Sequence, residues 1–319
     1  MIIYFSKLNL ESVELLEMYQ NDEVLGKIRK SIVAFLKTGI TYEIENSFID
    51  EFGEVHKVIT NYRLVTGIRT DDYIVGVIYK RTTLHYKEIN EQTGEIEPRT
   101  IPTVEDVRFY FDINREIVGF HTRNRFGYQD FNTAFSGIVN MAMENNESPL
   151  RFSASLYNEG LSIKAIEQEL KNISNIERLE FKFKLPNPAD DHMIENLRKK
   201  LTDTVEELEE ANAHAMSVIF DSDGGIGLNI EAGEIQKNIS RVDNISSGIS
   251  DEEAIQNGYA FVKATAKNGK IYTTEEHKPI KRLIADNESE ENFLLACRDT
   301  ILNIFAKKVQ NKERTSDHT

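Results

Sequence analysis

The chain has no tryptophan, one cysteine and only six prolines among its 319 residues. One cysteine cannot form an internal disulfide, and it excludes metal sites that need several thiolates. We expect Cys297 to be buried and unreactive, because it lies on the apolar face of a predicted helix. The sequence also lacks an apolar run of about 18 residues, which a membrane-spanning helix needs, and the basic start of a signal peptide. These absences predict a cytoplasmic protein without a membrane span.

Negative charge outnumbers positive charge in this sequence. Lysine and arginine total 38, aspartate and glutamate total 53, and the net charge is −15. This balance opposes bulk attraction to DNA or anionic lipid, although it allows a local basic face. The 40% hydrophobic content, with 17 phenylalanines and 12 tyrosines, is enough for a substantial core. A chain of this length predicts two domains or one elaborated domain.

Hydrophobic periodicity predicts an N-terminal domain, residues 1–99, and a C-terminal domain, residues 100–319. The first domain begins with predicted helices over residues 10–37. Residues 41–89 are rich in Tyr, Ile, Val and Thr and are divided by turn signals, which predicts an antiparallel β-meander of three to five strands. The polar segment 92–98 is the predicted linker between the domains.

The second domain is predicted to begin with the order β-β-α-β-α-β. The elements are expected at residues 107–112, 117–121, 128–144, 150–156, 161–173 and 178–185. In the last of these strands apolar residues alternate with charged ones, and prolines follow it, as expected for a strand with one buried face. This order is typical of ferredoxin-like variants. We therefore predict an α+β fold of mainly antiparallel sheets with helices packed on one face.

Further elements are predicted towards the C-terminus. A long helix over residues 190–215 has a regular apolar stripe, and it either packs on its own sheet or bridges two subunits. A strand at 216–220 follows. The Asn268-Gly269 pair predicts a hairpin over residues 259–274, and the chain ends in a predicted helix at 290–309.

One pattern is typical of restriction-type nucleases. Glu180 and Lys182 form a Glu-x-Lys pair on a strand, and Asp112 ends a strand that could lie beside it. Such a set can hold a divalent metal and activate water. However, Lys184 continues the same polar face, so a solvated charged stripe explains the pair as well.

The other candidate metal or phosphate motifs favour structural roles. Asp221-Ser-Asp223 lies in a glycine-rich turn, and Asp190-Asp-His192 lies at a helix start, where acidic residues cap the helix. Residues 224–227 lack the spacing and the lysine of a phosphate-binding loop. The seven histidines show no metal-ligand spacing. We therefore predict no catalytic residues, no metal ligands and no cofactor.

The segment 120–128 gives the best binding signal, because it interleaves two arginines with aromatic residues. Arg123 and Arg125 could contact phosphates, while Phe126 and Tyr128 could stack on unpaired bases. The alternative is a loop whose aromatic residues anchor it in the core.

Several other basic residues could extend this candidate site. With Arg123, Arg125 and Tyr128, the predicted nucleic-acid-binding residues are Lys182, Lys184, Arg198, Lys199, Lys200, Lys263 and Lys267. Each cluster alone is ordinary protein surface. If several shared one face, they would form a basic stripe that confines a polyanion to one groove.

The C-terminal half resembles the RexA-like phage-exclusion proteins and related bacterial anti-phage defence proteins. A helix leads into the strand Leu179–Lys184; later come the strand Phe261–Lys267, the turn Asn268-Gly269 and a terminal helix that includes Ile301–Lys308. The resemblance implies a non-enzymatic DNA-binding protein without sequence specificity. It also implies a homodimer that acts in abortive infection or other antiviral defence, often with a second defence-system protein.

The leading prediction is therefore an intracellular anti-phage defence component that binds nucleic acid, DNA rather than RNA. One alternative is a protein–protein interaction subunit, such as a phage sensor or inhibitor, whose acidic surface meets a basic partner. The other is a metal-dependent nuclease with Asp112, Glu180 and Lys182 at its centre.

Overall fold

Two antiparallel sheets organise the chain in the computed structural model. The structure describes residues 1–11, 23–49, 53, 55–89, 91, 94, 96–185, 207, 208, 210–223, 225–245, 255–275, 277–285 and 289–316. In chain order the strands are β1 (Ile2–Leu10), β2 (Thr41–Ile49), β3 (Val55–Arg69), β4 (Tyr73–Ile89), β5 (Ile96–Asp112), β6 (Ile117–His121), β7 (Phe152–Leu156), β8 (Ile176–Lys184), β9 (Ala215–Asp221), β10 (Ala260–Ala266), β11 (Ile271–Thr273) and β12 (Lys281–Leu283). The helices are α1 (Glu23–Phe35), α2 (Tyr128–Glu144), α3 (Ile163–Lys171), α4 (Gly233–Ile245) and α5 (Glu290–Ser316).

The larger sheet has eight strands in the order β12-β1-β6-β5-β4-β3-β2, and β7 pairs with the far end of β1. It contains both the predicted meander and the predicted hairpin at residues 107–121, because β5 belongs to both. β5 pairs with β4 without a register shift from Asp112 to Ile96. This strand therefore carries the sheet across the boundary predicted between residues 99 and 100.

Strand β1 corrects part of the N-terminal prediction. The helix predicted over residues 10–37 is confirmed for 23–35 and is wrong at Leu10, which ends β1. β1 lies within the sheet, and most of its residues are buried on both faces. A strand buried on both faces lacks the alternation by which a half-exposed strand is recognised.

Helices cover both faces of the larger sheet, whereas helices on one face were predicted. On one face, Phe131 and Phe135 of α2 pack among sheet residues such as Phe120, whose ring centroid lies 3.8 Å from that of Phe131. On the other face, Phe293 and Cys297 of α5 pack against residues of β1, β4, β5 and β6. Cys297 is fully buried, as predicted, and burial raises the pKa of its thiol.

The smaller sheet has four strands in the order β11-β10-β8-β9. Its inner face carries Leu179, Phe181 and Phe183, which share a core with residues of α3 and α4. The order β-β-α-β-α-β is confirmed, but its strands divide between the sheets, since β5, β6 and β7 lie in the larger one and β8 in the smaller. The fold is α+β with mainly antiparallel sheets, as predicted.

Two further predictions concern the helix and the hairpin expected after residue 185. The hairpin of β10 and β11 is confirmed, whereas most of the helix predicted over residues 190–215 lies outside the described residues. Within the part of the chain that the structure describes, no helix is long and apolar enough to cross a membrane.

Candidate nucleic-acid interface

A pocket of about 240 Å³ lies where the two sheets meet. The start of α2, strand β7 of the larger sheet and strands β8 and β10 of the smaller sheet contribute to its walls. Its lining includes Tyr128, Asn132, Ser155, Lys182, Lys184 and Phe261. Three residues predicted to bind nucleic acid, Tyr128, Lys182 and Lys184, therefore meet in one place.

Strand alternation places the lysines of β8 on the outer face of the smaller sheet. Because Phe181 and Phe183 face the core, Lys182 and Lys184 face the opposite way. The register of β8 with β10 puts Lys182 directly opposite Phe261. An aromatic residue and a lysine thus occupy paired positions on this face, and both line the pocket.

Lys184 also joins the two sheets. Its ammonium group pairs with the Glu11 carboxylate, next to the end of β1, and donates a hydrogen bond to the Ser153 hydroxyl on β7. Burial alone would raise the pKa of Glu11, but the charge and hydrogen bond of Lys184, the hydrogen bond of Ser153 and the charge of Lys182 together hold it below its ordinary value. One carboxylate therefore partly offsets both lysines of the pocket.

The loop before α2 is a tight turn closed by the backbone. Arg123 and Phe126 each donate an N–H to the carbonyl of the other, at 3.1 Å. Phe126 is fully buried in the core, as the alternative interpretation of this loop predicted. Tyr128 is half-buried and its ring lies 5.5 Å from that of Tyr4. Arg123 and Arg125 are exposed.

The remaining predicted binding residues are spread more widely. Lys263 lies on the outer face of the smaller sheet, directly opposite Glu180. Lys267 is exposed at the turn after β10, at the other end of that strand from the pocket. Arg198, Lys199 and Lys200 lie outside the described residues.

The structure does not assemble the predicted nuclease site. Asp112 lies in the larger sheet and Glu180 in the smaller one, so the two strands are not neighbours as the prediction required. The Asp112 carboxylate instead accepts hydrogen bonds from the backbone N–H and the guanidinium group of Arg115, both at 2.9 Å.

The candidate metal motifs have structural explanations where the structure describes them. Asp221 forms an ion pair with Arg178 across β8 and β9, at 2.9 Å. Among the described residues there is no group of three or more His, Cys, Asp or Glu side chains that could hold a metal ion. Asp190-Asp-His192 lies outside them.

Sequence reasoning missed Phe261 as a candidate site residue. Alternation within β10 gives a usable signal, because Ala260, Val262 and Ala264 face the core while Phe261 and Lys263 are only partly buried. Its position opposite Lys182 depends on the register between two strands about 80 residues apart, which alternation does not determine.

Comparison with known proteins gives the family but no described activity. No curated protein sequence matches the chain. A family model described as a domain of unknown function, DUF4747, matches residues 49–301. Since this match covers most of the 319 residues, the chain belongs to the DUF4747 family.

Proposed function

We propose that this protein binds nucleic acid without sequence specificity through the outer face of the smaller sheet. The observation that carries the proposal is the direct pairing of Lys182 with Phe261 beside a pocket that Tyr128 and Lys184 also line. An aromatic ring can stack on any base, and an ammonium group attracts any phosphate. The combination suits an unpaired strand, with DNA as the expected substrate from the resemblance to RexA-like proteins.

The charge pattern of this face supports a contact that is weak and tolerant of sequence. Lys182 and Lys184 share the Glu11 carboxylate, and Lys263 lies opposite Glu180. Such partly offset cations attract phosphates without a strong field. The neighbouring acidic residues also limit the length of nucleic acid that the face can bind, because they repel the phosphates that extend beyond the lysines.

A binding experiment tests the proposal. Fluorescence anisotropy with a mixed-sequence single-stranded oligonucleotide should show binding that weakens as salt is added. Lys182→Gln should reduce the salt slope by about 0.7, the value for one phosphate contact on a single strand. Phe261→Ala should weaken binding by about 1–3 kcal/mol, since base stacking on one ring has that strength.

The matched control is Lys278→Gln, because the Lys278 side chain is 68% exposed and does not line the pocket. This variant should bind like the wild type. No binding by the wild type up to tens of micromolar, or an equal loss in the control, would contradict the proposal. Incubation with DNA and magnesium should leave the oligonucleotide intact, and cleavage would favour the nuclease alternative instead.

We also propose that this binding serves anti-phage defence, on the basis of the RexA-like resemblance of the C-terminal half. In bacteria that express the protein, plating efficiency of sensitive phages should fall. Lys182→Gln with Phe261→Ala should restore plating without lowering the amount of folded protein. Protection that survives both substitutions would separate the defence role from this face.

A further inference from the structure

The exposed edges of the two sheets differ in their protection against pairing with another chain. Natural proteins keep edge strands short or place charges on them, because an edge presents unpaired N–H and C=O groups. The edge strands β11 and β12 have three residues each. The longer edge strand β2 carries Glu43 and Glu45 near its middle.

Strand β9 has neither form of protection. It has seven residues, and the six from Ala215 to Phe220 are uncharged. Asp221, at its end, pairs with Arg178. Ser217 and Ile219 are exposed, and β8 is the partner of β9 among the described strands. In a chain of net charge −15, this uncharged edge is suited to receive another strand.

We propose that β9 pairs antiparallel with β9 of a second copy of this chain. A two-fold axis at Val218 would place Ser217 opposite Ile219 of the partner subunit and Ala215 opposite Asp221 of the partner subunit. No like charges meet in this register, so the edge is complementary to itself, as a two-fold interface requires. Strand addition would satisfy the outward N–H and C=O groups of β9 in both copies.

This pairing would join the two smaller sheets into one, with both outer faces on the same side. Adjacent strands lie about 4.8 Å apart, and three such steps separate the two copies of β8. Because the register places Lys182 in line with Glu180 of the partner subunit, the two Lys182 side chains are also offset by two residues, about 7 Å, and would lie roughly 16 Å apart. The inference rests here on the proposed function: each copy would supply half of one nucleic-acid-binding face, and a single strand could cross both halves.

The first measurement is the solution mass by sedimentation velocity across a range of concentrations. The wild type should be a dimer, and Ser217→Lys with Ile219→Lys should weaken dimerisation by about tenfold or more, because the introduced lysines face each other across the edge. Both native side chains are exposed, so the fold should remain intact. The control is Ser47→Lys with Ile49→Lys, which changes the same spacing on the exposed β2 edge.

A monomeric wild type at tens of micromolar, or a dimer that resists the β9 double substitution, would overturn the inference. Binding to the oligonucleotide is the second measurement. The β9 substitutions add positive charge, so weaker binding by that variant cannot be an electrostatic effect and would support a shared face. A β9-dependent dimer that does not bind nucleic acid would refute the proposed function alone. Ser217 lies opposite Lys182, so the added lysines also attract phosphate at low salt. Unchanged or tighter binding by the monomeric variant at high salt, where this attraction is screened, would refute the shared face alone.

Discussion

Replacing Glu11 with glutamine should change stability and nucleic-acid binding in opposite directions. Its carboxylate pairs with Lys184 and accepts a hydrogen bond from Ser153, so it links the larger sheet to the smaller one. It also partly neutralises the lysines of the pocket. Glutamine keeps an acceptor oxygen for both partners and removes only the charge.

The loss of stability follows from the burial of the pair. The Lys184 and Glu11 side chains are 14% and 25% exposed, so the contact lies between a surface ion pair and a buried one. Surface pairs contribute at most about 1 kcal/mol, and hydrogen bonds to charged groups about 1.5–3 kcal/mol. We expect Glu11→Gln to lower the free energy of unfolding by about 1–2 kcal/mol at neutral pH.

The pH dependence of the free energy of unfolding gives an independent check on this loss of stability. The pKa of Glu11 is lower in the folded state than its ordinary value of 4.5. Its contribution is therefore complete above the unfolded pKa and is lost as pH falls through the folded pKa. Urea denaturation at several pH values should show the wild type and Glu11→Gln differing most at neutral pH and converging in acid.

Binding should become tighter in the same variant. Removing one negative charge about 7 Å from a bound phosphate, in a medium like water, gains roughly 0.6 kcal/mol, or about threefold in affinity at low salt. Lys184→Met is the contrasting variant, since it breaks the same link but removes a cation, and it should lose both stability and affinity. If Glu11→Gln bound more weakly than the wild type, the pocket would not be the phosphate contact.

Two further predictions concern buried charge in the larger sheet. Lys7→Met should lower the free energy of unfolding in urea by about 3–5 kcal/mol, because it removes one partner of a buried ion pair. The Lys7–Glu116 pair is 2.8 Å long, and its side chains are 6% and 7% exposed. A loss below about 1 kcal/mol would contradict this. Burial, and then the charge of Arg123, lower the pKa of His121 to about 4. The neutral imidazole therefore contributes its full stabilisation above its ordinary pKa of 6.5, and the free energy of unfolding falls as the pH drops towards 4. Thermal unfolding should show about 2 kcal/mol lost at pH 5 relative to pH 7, and His121→Asn, which can still accept the N–H of Arg108, should remove this loss.

Local sequence patterns were sufficient to predict the helices and strands that have one buried face and one solvent-exposed face. The helix predicted at residues 128–144 matches α2, since its apolar residues recur at helical spacing and are buried in the core. The strand with alternating charges, β8, and the hairpin turn at the Asn-Gly pair after β10 were also predicted correctly. In each case the signal lies within about 20 neighbouring residues.

The pairing of strands that are far apart in the sequence could not be predicted from such local patterns. β1 pairs with β12, where Ile2 lies opposite Leu283, and no periodicity links positions so far apart. The division of the strands between two sheets has the same origin. The pocket shows the consequence, because Tyr128 begins α2, which packs on the larger sheet, whereas Lys182 lies on β8 of the smaller sheet.

The two proposals depend on one property of the outer face, which is that its cations have acidic neighbours. Glu11 offsets Lys184, Glu180 lies opposite Lys263, and Asp221 pairs with Arg178. One copy should therefore hold a nucleic acid strand only weakly. Two copies joined at β9 would make the second contact intramolecular, and avidity can then exceed either affinity by about 10²–10⁴ without a new contact. An acidic protein with a modest basic face could in this way release non-target polyanions as a monomer and retain a strand that spans both subunits.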